Sequence, residues 1–558
     1  MNQNQGAAMP KPVGLATNLV STALGRLWGL PAKRNRVRVA RAVEIPMRDG
    51  VNLLADHYIP VTAERVPTVL VRCPYGRGFP YNMLTAQLFA ERGYHVLFQS
   101  TRGTFGSGGT FTPAVSEPDD AHDTVAWLRK QAWFDGRLAT AGGSYLGYTQ
   151  WALAMDPPPE LTAMVVMIGV HDIGRAAYQQ GPLDLYNMLS WSELISHQER
   201  VGPVRGLVRM VRAERRLAGT VARLPLRGAM DEVGGDGAPW YDEWVDHSDV
   251  TDPYWRPFRV TEALQRSTVP TLLIGGWYDY FLDQTLKQYS ALRSRDVDVA
   301  LTIGPWTHLT VDNKISVSQT ISWLDAHAAG RSPVRREAPV QVFVGGAEQW
   351  GNYQDWPPAG VEYTLYLRSD GKLADSAPTE SGATSFRYDP ADPTPSVGGR
   401  VMAPSGGAKD NRKLEARDDV LVFTTEPLAH TVEVHGAPTV ELHVTSDNAH
   451  ADLFARMCDV APDGRSANIT DQIIRCTDVD TVPGEVRTVR IALDPTAHRF
   501  KPGHRIRLQI SGGAFPRFAR NLGTGEAQGT ATATRVARHT VHHDPTRPSR
   551  VSLPVTVA

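Results

Sequence analysis

The chain has 558 residues, of which 42% are apolar and 21% are charged. This length exceeds what one hydrophobic core usually supports, so two or more domains are expected. The 58 basic and 59 acidic side chains nearly cancel, which excludes a net field that would attract nucleic acid or an anionic membrane. Binding must therefore depend on a local site, and we predict a small-molecule partner and no nucleic acid.

Residues 1–41 are predicted to form an N-terminal extension that contains one helix, in "VGLATNLVSTALGRLWGLP". Its apolar residues recur at helical spacing and form a single stripe: Leu15, Leu19, Val20, Ala23, Leu24, Leu27 and Trp28. The chain has no run of about 18 apolar residues, so no membrane-spanning segment is predicted. Two interpretations of the stripe stay open: docking on the protein itself, or peripheral association with a membrane surface.

Between residue 42 and about residue 310, short apolar runs alternate with helix-like segments. The runs are "PTVLVRCPYG", "YHVLFQSTRG", "LTAMVVMIGV", "VPTLLIGGWYD" and "DVALTIGPWTH". Continuous apolar runs of this length are typical of strands buried on both faces of a parallel sheet. The alternation predicts an α/β domain formed by residues 42–172 and 267–334. Ligands of such sheets bind beyond the carboxyl ends of the strands.

Two further regions break this alternation. Residues 173–266 contain arginine-rich helical segments such as "LVRMVRAERRLAGTVARL" and no strand-like run. We interpret them as an inserted helical cap, with plain packing helices as the alternative. Residues 335–558 contain period-two segments such as "HRIRLQISG", which predict an antiparallel β-sandwich, of jelly-roll type.

A serine nucleophile is predicted at Ser144, in the glycine-rich turn "TAGGSYLGYTQWALA" between a strand and a helix. Glycines allow the tight backbone of such a turn and leave room for a substrate. A serine needs a histidine to take its proton and a carboxylate to orient that histidine. Asp279 in "GGWYDYF" and His308 in "GPWTH" follow two later strands in the order serine, acid, histidine that α/β-hydrolases use.

Two donors are predicted for the oxyanion of a tetrahedral intermediate. The first is the backbone N–H of Tyr145, the residue after the nucleophile. The second is the hydroxyl of Tyr75, in the loop after "TVLVRC". A tyrosine that merely packs there is the plainer interpretation of Tyr75.

These motifs resemble, in order, those of the bacterial cocaine esterase and Xaa-Pro dipeptidyl-peptidase family of serine hydrolases. The resemblance rests on "RCPYGRG", "QSTRGTFGSGGTF", "WFDGRLATAGGSYLGYTQW", "GGWYDYF" and "GPWTH", and it continues through "VDHSDVTDPYW" and "FKPGHRIRLQISGGAFPRF". It implies an α/β-hydrolase core, a helical cap and a C-terminal jelly roll. It places the catalytic triad on Ser144, Asp279 and His308, and the oxyanion donors on Tyr75 and Tyr145.

This chain departs from the family pattern at two positions. Ser100 stands where relatives usually carry an aspartate, which questions how the "QSTRG" loop is braced. Tyr280 follows the predicted acid where a smaller residue is common, and we expect it to narrow the pocket. With Trp191 and Trp277, Tyr280 is a candidate for lining a pocket that holds an aromatic acyl group.

The predicted function is cleavage of an ester or amide through an acyl-enzyme, with esterase activity as the first interpretation. A dipeptidyl-peptidase is the alternative, and it would need a carboxylate such as Glu193, Asp184 or Asp283 to hold the substrate's amino terminus. A non-catalytic carbohydrate-binding or ligand-binding scaffold is a third interpretation. The oligomeric state is left open, with a homo-oligomer as one interpretation.

No metal and no cofactor are predicted. Three cysteines, Cys73, Cys458 and Cys476, are too few and too far apart for a zinc cluster or a disulfide framework. We expect reduced thiols and a cytoplasmic protein. The adjacent His542 and His543 would point in opposite directions on an extended chain, and His171-Asp172 is expected to cap the turn that enters the cap region.

Overall fold

One large mixed sheet forms the first domain of the protein. The computed structural model describes residues 9–234, 238–332, 336–476 and 484–556. Among these residues the strands of this sheet are β1 (Lys11–Pro12), β2 (Val37–Pro46), β3 (Asn52–Pro60), β4 (Thr68–Cys73), β5 (His95–Ser100), β6 (Leu138–Gly143), β7 (Leu161–Met167), β8 (Thr271–Tyr278), β9 (Val299–Thr307), β10 (Val340–Val344) and β11 (Gln349–Tyr353). Their spatial order is β1-β2-β3-β5-β4-β6-β7-β8-β9-β10-β11.

The central strands of this sheet are parallel. Strand β4 pairs in parallel with β5 and β6, and the parallel pairing continues through β7, β8, β9 and β10. Every residue of β4 and β5 is buried, as their continuous apolar sequences predict for strands covered on both faces. The carboxyl ends of β4, β6, β8 and β9 therefore lie along the same edge of the sheet.

Helices cover both faces of this sheet and form the cap. They are α1 (Leu15–Leu27), α2 (Leu88–Ala90), α3 (Glu117–Leu128), α4 (Tyr145–Leu153), α5 (Ile173–Ala177), α6 (Leu185–His197), α7 (Pro203–Val211), α8 (Ala213–Ala222), α9 (Ala229–Glu232), α10 (Trp240–Asp246), α11 (Ala263–Arg266), α12 (Leu282–Arg293) and α13 (Asn313–His327). A further helix, α14 (Arg412–Glu415), lies in the C-terminal region. A π-helical turn spans Met83–Gln87 and a 3₁₀-helix spans Pro253–Phe258. Between β7 and β8 the described chain contains helices and no strand.

The C-terminal region is an antiparallel β-sandwich. Its strands are β12 (Val361–Leu367), β13 (Leu373–Ala374), β14 (Ala383–Tyr388), β15 (Val420–Thr424), β16 (Val432–Gly436), β17 (Thr439–Ser446), β18 (Ala451–Val460), β19 (Ser466–Cys476), β20 (Arg487–Ala492), β21 (Thr496–Phe500), β22 (Arg505–Ser511), β23 (Ala537–Asp544), β24 (Arg547–Pro548) and β25 (Arg550–Val555). One sheet has the order β15-β22-β18-β19, and the other is larger and branched. The predicted combination of an α/β domain with an all-β C-terminal domain is confirmed.

The structure differs from the expected organisation at two places. Strands β10 and β11 lie within the range 335–558 predicted for the sandwich, yet β10 pairs with β9 and extends the first sheet. Because β10 lies parallel to β9, it adds a strand to the sheet of the α/β domain. An apolar run in the sequence does not reveal which sheet its strand joins. The expected boundary at 334/335 itself lies outside the described residues.

The second difference concerns helix α1. The helix forms where the 3.6-residue periodicity predicts it, but Ser21 and Gly25 are its buried residues. Part of its apolar stripe faces outward, with Leu15 75% and Leu19 62% exposed. The interpretation that the stripe docks on the protein itself holds for Trp28, which packs against the core, but not for the exposed leucines, because the hydroxyl of Ser21 supplies the inward contact there.

Candidate active site

Four predicted site residues follow strands that end at the same edge of the sheet. Ser144 follows β6, Asp279 follows β8, and His308 follows β9. Tyr75 lies two residues after β4, which is the neighbour of β6. The parallel arrangement brings together Ser144 and His308, which are 164 positions apart in the chain.

Ser144 lies at a sharp turn with an unusual backbone conformation. Its φ is +62° and its ψ is −125°, a region that non-glycine residues rarely adopt. A Cβ on Gly142 would lie 2.5 Å from Leu146 Cβ, and one on Gly147 would lie 2.6 Å from the Cα of Gly169. These glycines thus allow β6, the turn and α4 to approach closely, and the turn lifts the serine out of the sheet.

The serine, histidine and aspartate form a continuous hydrogen-bonded chain. His308 Nε2 is 2.9 Å from Ser144 Oγ, and His308 Nδ1 is 2.6 Å from Asp279 Oδ1. Asp279 is fully buried, and its other oxygen accepts the backbone N–H of Phe281 at 3.1 Å. Because an ionised carboxylate can only accept, Nδ1 carries the imidazole proton and leaves Nε2 to accept the serine proton.

Tyr75 places its hydroxyl beside the serine. Its oxygen accepts the indole N–H of Trp191 at 3.1 Å, and the hydroxyl lies within interaction range of the Ser144 side chain and the Tyr145 backbone. Burial raises the pKa of Tyr75 to about 12, so the hydroxyl keeps its proton at neutral pH. The two predicted oxyanion donors therefore lie together, next to Ser144 Oγ.

A cavity opens onto Ser144. Its walls are almost entirely apolar, and its lining residues are Tyr75, Ser144, Tyr145, Val170, Ile173, Ala176, Met188, Trp191, Trp244, Tyr280, Phe281 and Met402. The rings of Tyr145 and Trp191 stack nearly parallel, with 14° between their planes, and Trp191 stacks on Trp244 at 17°. The cavity is thus bounded on one side by three stacked aromatic rings.

Two of the three predicted pocket residues lie in this lining, and one does not. Trp191 and Tyr280 line the cavity, and the Tyr280 hydroxyl donates to the carbonyl of Ala176 in the cap. Trp277 does not line it, so this expectation is corrected. The indole of Trp277 donates to the carbonyl of Phe343 and packs against Trp356, because it points from β8 toward β10 and not toward the cap.

Sequence reasoning missed several lining residues. Met188 and Trp244 belong to cap helices α6 and α10, and Met402 comes from the segment that precedes α14 in the C-terminal region. Nothing in their local sequence marks them, since helical apolar residues are usually core residues. Phe281 could have been predicted from the sequence, because it lies two residues after the predicted acid. Its ring packs edge-on against His308, with 5.3 Å between the ring centroids.

The three carboxylates considered for binding an amino terminus are outside the cavity lining. Glu193 is buried and pairs with Arg209 and Arg216. Asp283 pairs with Lys287 at 3.2 Å. Asp184 is fully buried at the start of α6, where burial raises its pKa to about 7. Among the described residues, no aspartate or glutamate lines the cavity.

The remaining residues singled out in the sequence have structural contacts. The Ser100 hydroxyl accepts from Arg77, and Arg77 also pairs with Asp56 at 3.4 Å, so the carboxylate of Asp56 stabilises this loop through Arg77. Asp172 caps α5 by accepting the N–H of Arg175 at 3.0 Å, as expected. His542 and His543 hydrogen-bond to two different residues, Thr445 and Thr384. No group of three His, Cys, Asp or Glu side chains in the described ranges could hold a metal.

Comparison with known proteins defines the class of this protein. Residues 49–310 match the X-Pro dipeptidyl-peptidase (S15 family), and residues 332–552 match the X-Pro dipeptidyl-peptidase C-terminal non-catalytic domain. The protein is therefore a serine hydrolase with an α/β-hydrolase core and a C-terminal β-domain. The prediction of an enzyme is confirmed, against the interpretation as a binding scaffold.

Similarity over the whole chain defines the family. The cocaine esterase of Rhodococcus sp. (strain MB1 Bresler) is 34% identical over 570 residues, which cover 93% of this chain and 98% of that protein. This chain belongs to the cocaine esterase and X-Pro dipeptidyl-peptidase family, as the motifs predict.

Two solved structures share the fold at lower identity. An aminopeptidase from the marine sediment archaeon Thaumarchaeota archaeon superimposes with a TM-score of 0.81 at 23% identity, with 100% of both chains covered. An α-amino acid ester hydrolase superimposes with a TM-score of 0.79 at 24% identity, covering 94% of this chain and 98% of that chain.

Proposed function

We propose that this enzyme hydrolyses esters of uncharged, aromatic or bulky apolar acyl groups through an acyl-enzyme on Ser144. The observation that carries the proposal is an aromatic cavity that opens onto Ser144 and has no carboxylate in its described lining. The 34% identical relative is an esterase, which agrees with this assignment.

Acylation follows from the hydrogen-bonded chain. His308 Nε2 takes the proton of Ser144 as Oγ attacks the ester carbonyl carbon, and Asp279 stabilises the imidazolium that forms. The carbonyl oxygen becomes an oxyanion and accepts hydrogen bonds from the Tyr145 N–H and the Tyr75 hydroxyl. His308 then donates its proton to the departing alkoxide, and the C–O bond breaks to leave the acyl group on Ser144.

Deacylation repeats these steps with water. His308 takes a proton from water as its oxygen attacks the acyl carbon, and the same two donors hold the second oxyanion. Collapse of this intermediate breaks the bond to Ser144 Oγ, which regains its proton from His308. Trp191 acts as a positioning residue, because its N–H occupies one lone pair of the Tyr75 oxygen and leaves the Tyr75 proton for the substrate.

The surroundings of the cavity disfavour a substrate with a free amino terminus. Moving an ammonium group out of water is costly unless a carboxylate pairs with it. Glu193 and Asp283 are already engaged by cationic side chains, and Asp184 is fully buried. An ester with a neutral ring would instead gain apolar contact with Trp191 and Trp244.

The substrate assignment is tested by a matched pair of esters. Methyl phenylacetate and phenylglycine methyl ester differ only by an amino group, which is protonated at mildly acidic pH. We expect kcat/KM for the neutral ester to be about 10²-fold higher, because the ammonium would enter the cavity unpaired. An equal or faster rate on the amino ester, or comparable cleavage of an Ala-Pro anilide, would assign the cavity to amino-terminal substrates.

Replacement of Tyr75 by phenylalanine is expected to lower kcat by about 10²–10³-fold with little change in KM, because the hydroxyl acts on charge that develops in the transition state. The measurement is steady-state hydrolysis of a p-nitrophenyl ester. Tyr81→Phe is the matched control, since the Tyr81 ring stacks on Tyr75 with 5.9 Å between the ring centroids. Both substitutions remove one phenolic hydroxyl. An unchanged rate for Tyr75→Phe would return this tyrosine to a packing role.

We also propose that the protein works in a reducing compartment, the cytoplasm. Cys73 and Cys458 are buried, and burial raises the pKa of each thiol to about 12. Such thiols stay protonated and unreactive at neutral pH. No helix in the described part of the chain is both long enough and apolar enough to cross a bilayer.

A further inference from the structure

Helix α1 is attached to the domain through its polar side. The Ser21 hydroxyl donates to Glu91 Oε1 at 2.6 Å, and Lys33 Nζ lies 2.8 Å from the same oxygen. Gly25 brings the helix close to Arg92, whose Nη2 would be 3.0 Å from a Cβ at that position. The helix is thus held by hydrogen bonds to a buried carboxylate and by close backbone approach.

The opposite side of α1 is an exposed apolar face. We define it as Leu15, Ala16, Leu19, Val20, Ala23 and Leu27, all of which are exposed. The leucines are 75%, 62% and 72% exposed in chain order, although leucine is normally among the most buried residue types. A contiguous exposed surface of this kind marks an interaction site.

The chain around this face is strongly basic. Residues 1–43 contain seven lysines and arginines and no aspartate or glutamate, whereas acidic side chains are in excess over the rest of the chain. Six of these cationic side chains are exposed in the described part of the segment: Lys11, Arg26, Arg34, Arg36, Arg38 and Arg41. The positive charge is therefore concentrated beside the apolar face.

We infer that the exposed face of α1 lies in the surface of an anionic lipid membrane. An apolar helix face buries itself at the boundary of headgroups and acyl chains, while neighbouring lysines and arginines attract anionic lipids. A second copy of this chain fits less well. Two copies would bring two basic segments together, and one face of a 13-residue helix is small beside the roughly 800 Å² that each partner buries in a stable dimer.

The test is flotation of the full-length enzyme with vesicles, of phosphatidylcholine alone or of phosphatidylcholine mixed with phosphatidylglycerol. We expect the enzyme to float with the mixed vesicles only, and less of it as salt is raised, since salt screens the basic segment. Leu19→Glu should lower the partition coefficient at least about 10-fold, because it puts a charge on the face that would enter the membrane. Ester hydrolysis by this variant should stay at the wild-type rate, since no residue of α1 lines the cavity at Ser144.

Val536→Glu is the matched control, because Val536 is 39% exposed and belongs to the β-sandwich region. It should float like the wild type. Equal binding to both vesicle types, no binding to either, or the same loss for Val536→Glu would overturn the inference. A dimer that Leu19→Glu dissociates, without vesicle binding by the wild type, would assign the face to a second copy instead.

Discussion

The Ser144→Ala variant is expected to lose about 10⁶-fold in kcat, because no other group can form the acyl-enzyme. His308 and both oxyanion donors would remain in place, so the variant should still hydrolyse the ester faster than the uncatalysed reaction in water. Substrate binding should be nearly unchanged, since the aromatic lining of the cavity is untouched. The measurement is hydrolysis of a p-nitrophenyl ester at saturating substrate.

Covalent labelling gives an independent readout of the same prediction. A fluorophosphonate should add one adduct to the wild type, on the tryptic peptide that contains Ser144, and none to Ser144→Ala. Ser190→Ala is the matched control, because Ser190 adjoins Trp191 in α6 and its hydroxyl only donates to the carbonyl of Asn187. Full turnover or persistent labelling in Ser144→Ala would end the proposed mechanism.

The Asp279→Asn variant is expected to lose about 10⁴-fold in kcat while keeping its fold. One oxygen of Asp279 accepts the N–H of Phe281 and the other accepts Nδ1–H of His308. An asparagine would keep its oxygen on Phe281 and turn its NH₂ group toward His308. The imidazole proton would then move to Nε2, which could no longer accept the proton of Ser144.

Asp283→Asn separates this effect from a general loss of charge. Asp283 lies in the first turn of α12 and pairs with Lys287 at 3.2 Å and with Arg400 at 3.7 Å. None of these three side chains lines the cavity, so we expect ester turnover close to that of the wild type. Thermal unfolding of both variants should confirm that they fold. A loss in Asp279→Asn no larger than in Asp283→Asn would show that the aspartate does not orient the histidine.

The triad was predictable because each member follows its own strand. An apolar run that ends in a polar residue marks the carboxyl end of a parallel strand, and such ends meet at one edge of a sheet. Ser144, Asp279 and His308 each carry that local signal. Tyr75 carries it more weakly, because only the fold shows that β4 is the neighbour of β6.

The substrate cavity was predictable only in part. Trp191 and Tyr280 line it, but Trp277, near the end of β8 and three residues before Tyr280, turns away to contact Phe343. Trp244 and Met402 come from the cap and from the C-terminal region, far from any motif. Whether an aromatic residue faces a cavity or the core depends on the packing of separate segments, which local spacing does not encode.

By itself, the sequence determined the domain classes and the family, and it predicted which serine, aspartate and histidine meet at the edge of the sheet, because periodicity and strand-end motifs are local properties. Tertiary structure alone decided that β10 extends the first sheet, that the cavity has no carboxylate in its described lining, and that Leu15, Leu19 and Leu27 of α1 face outward. The physical reason is the same in each case. Which partner a strand, a carboxylate or a helix face meets depends on long-range packing. In α1, the hydrogen bond from Ser21 to the buried Glu91 holds the polar side of the helix toward the protein, whereas the apolar stripe alone predicts that the leucines face inward.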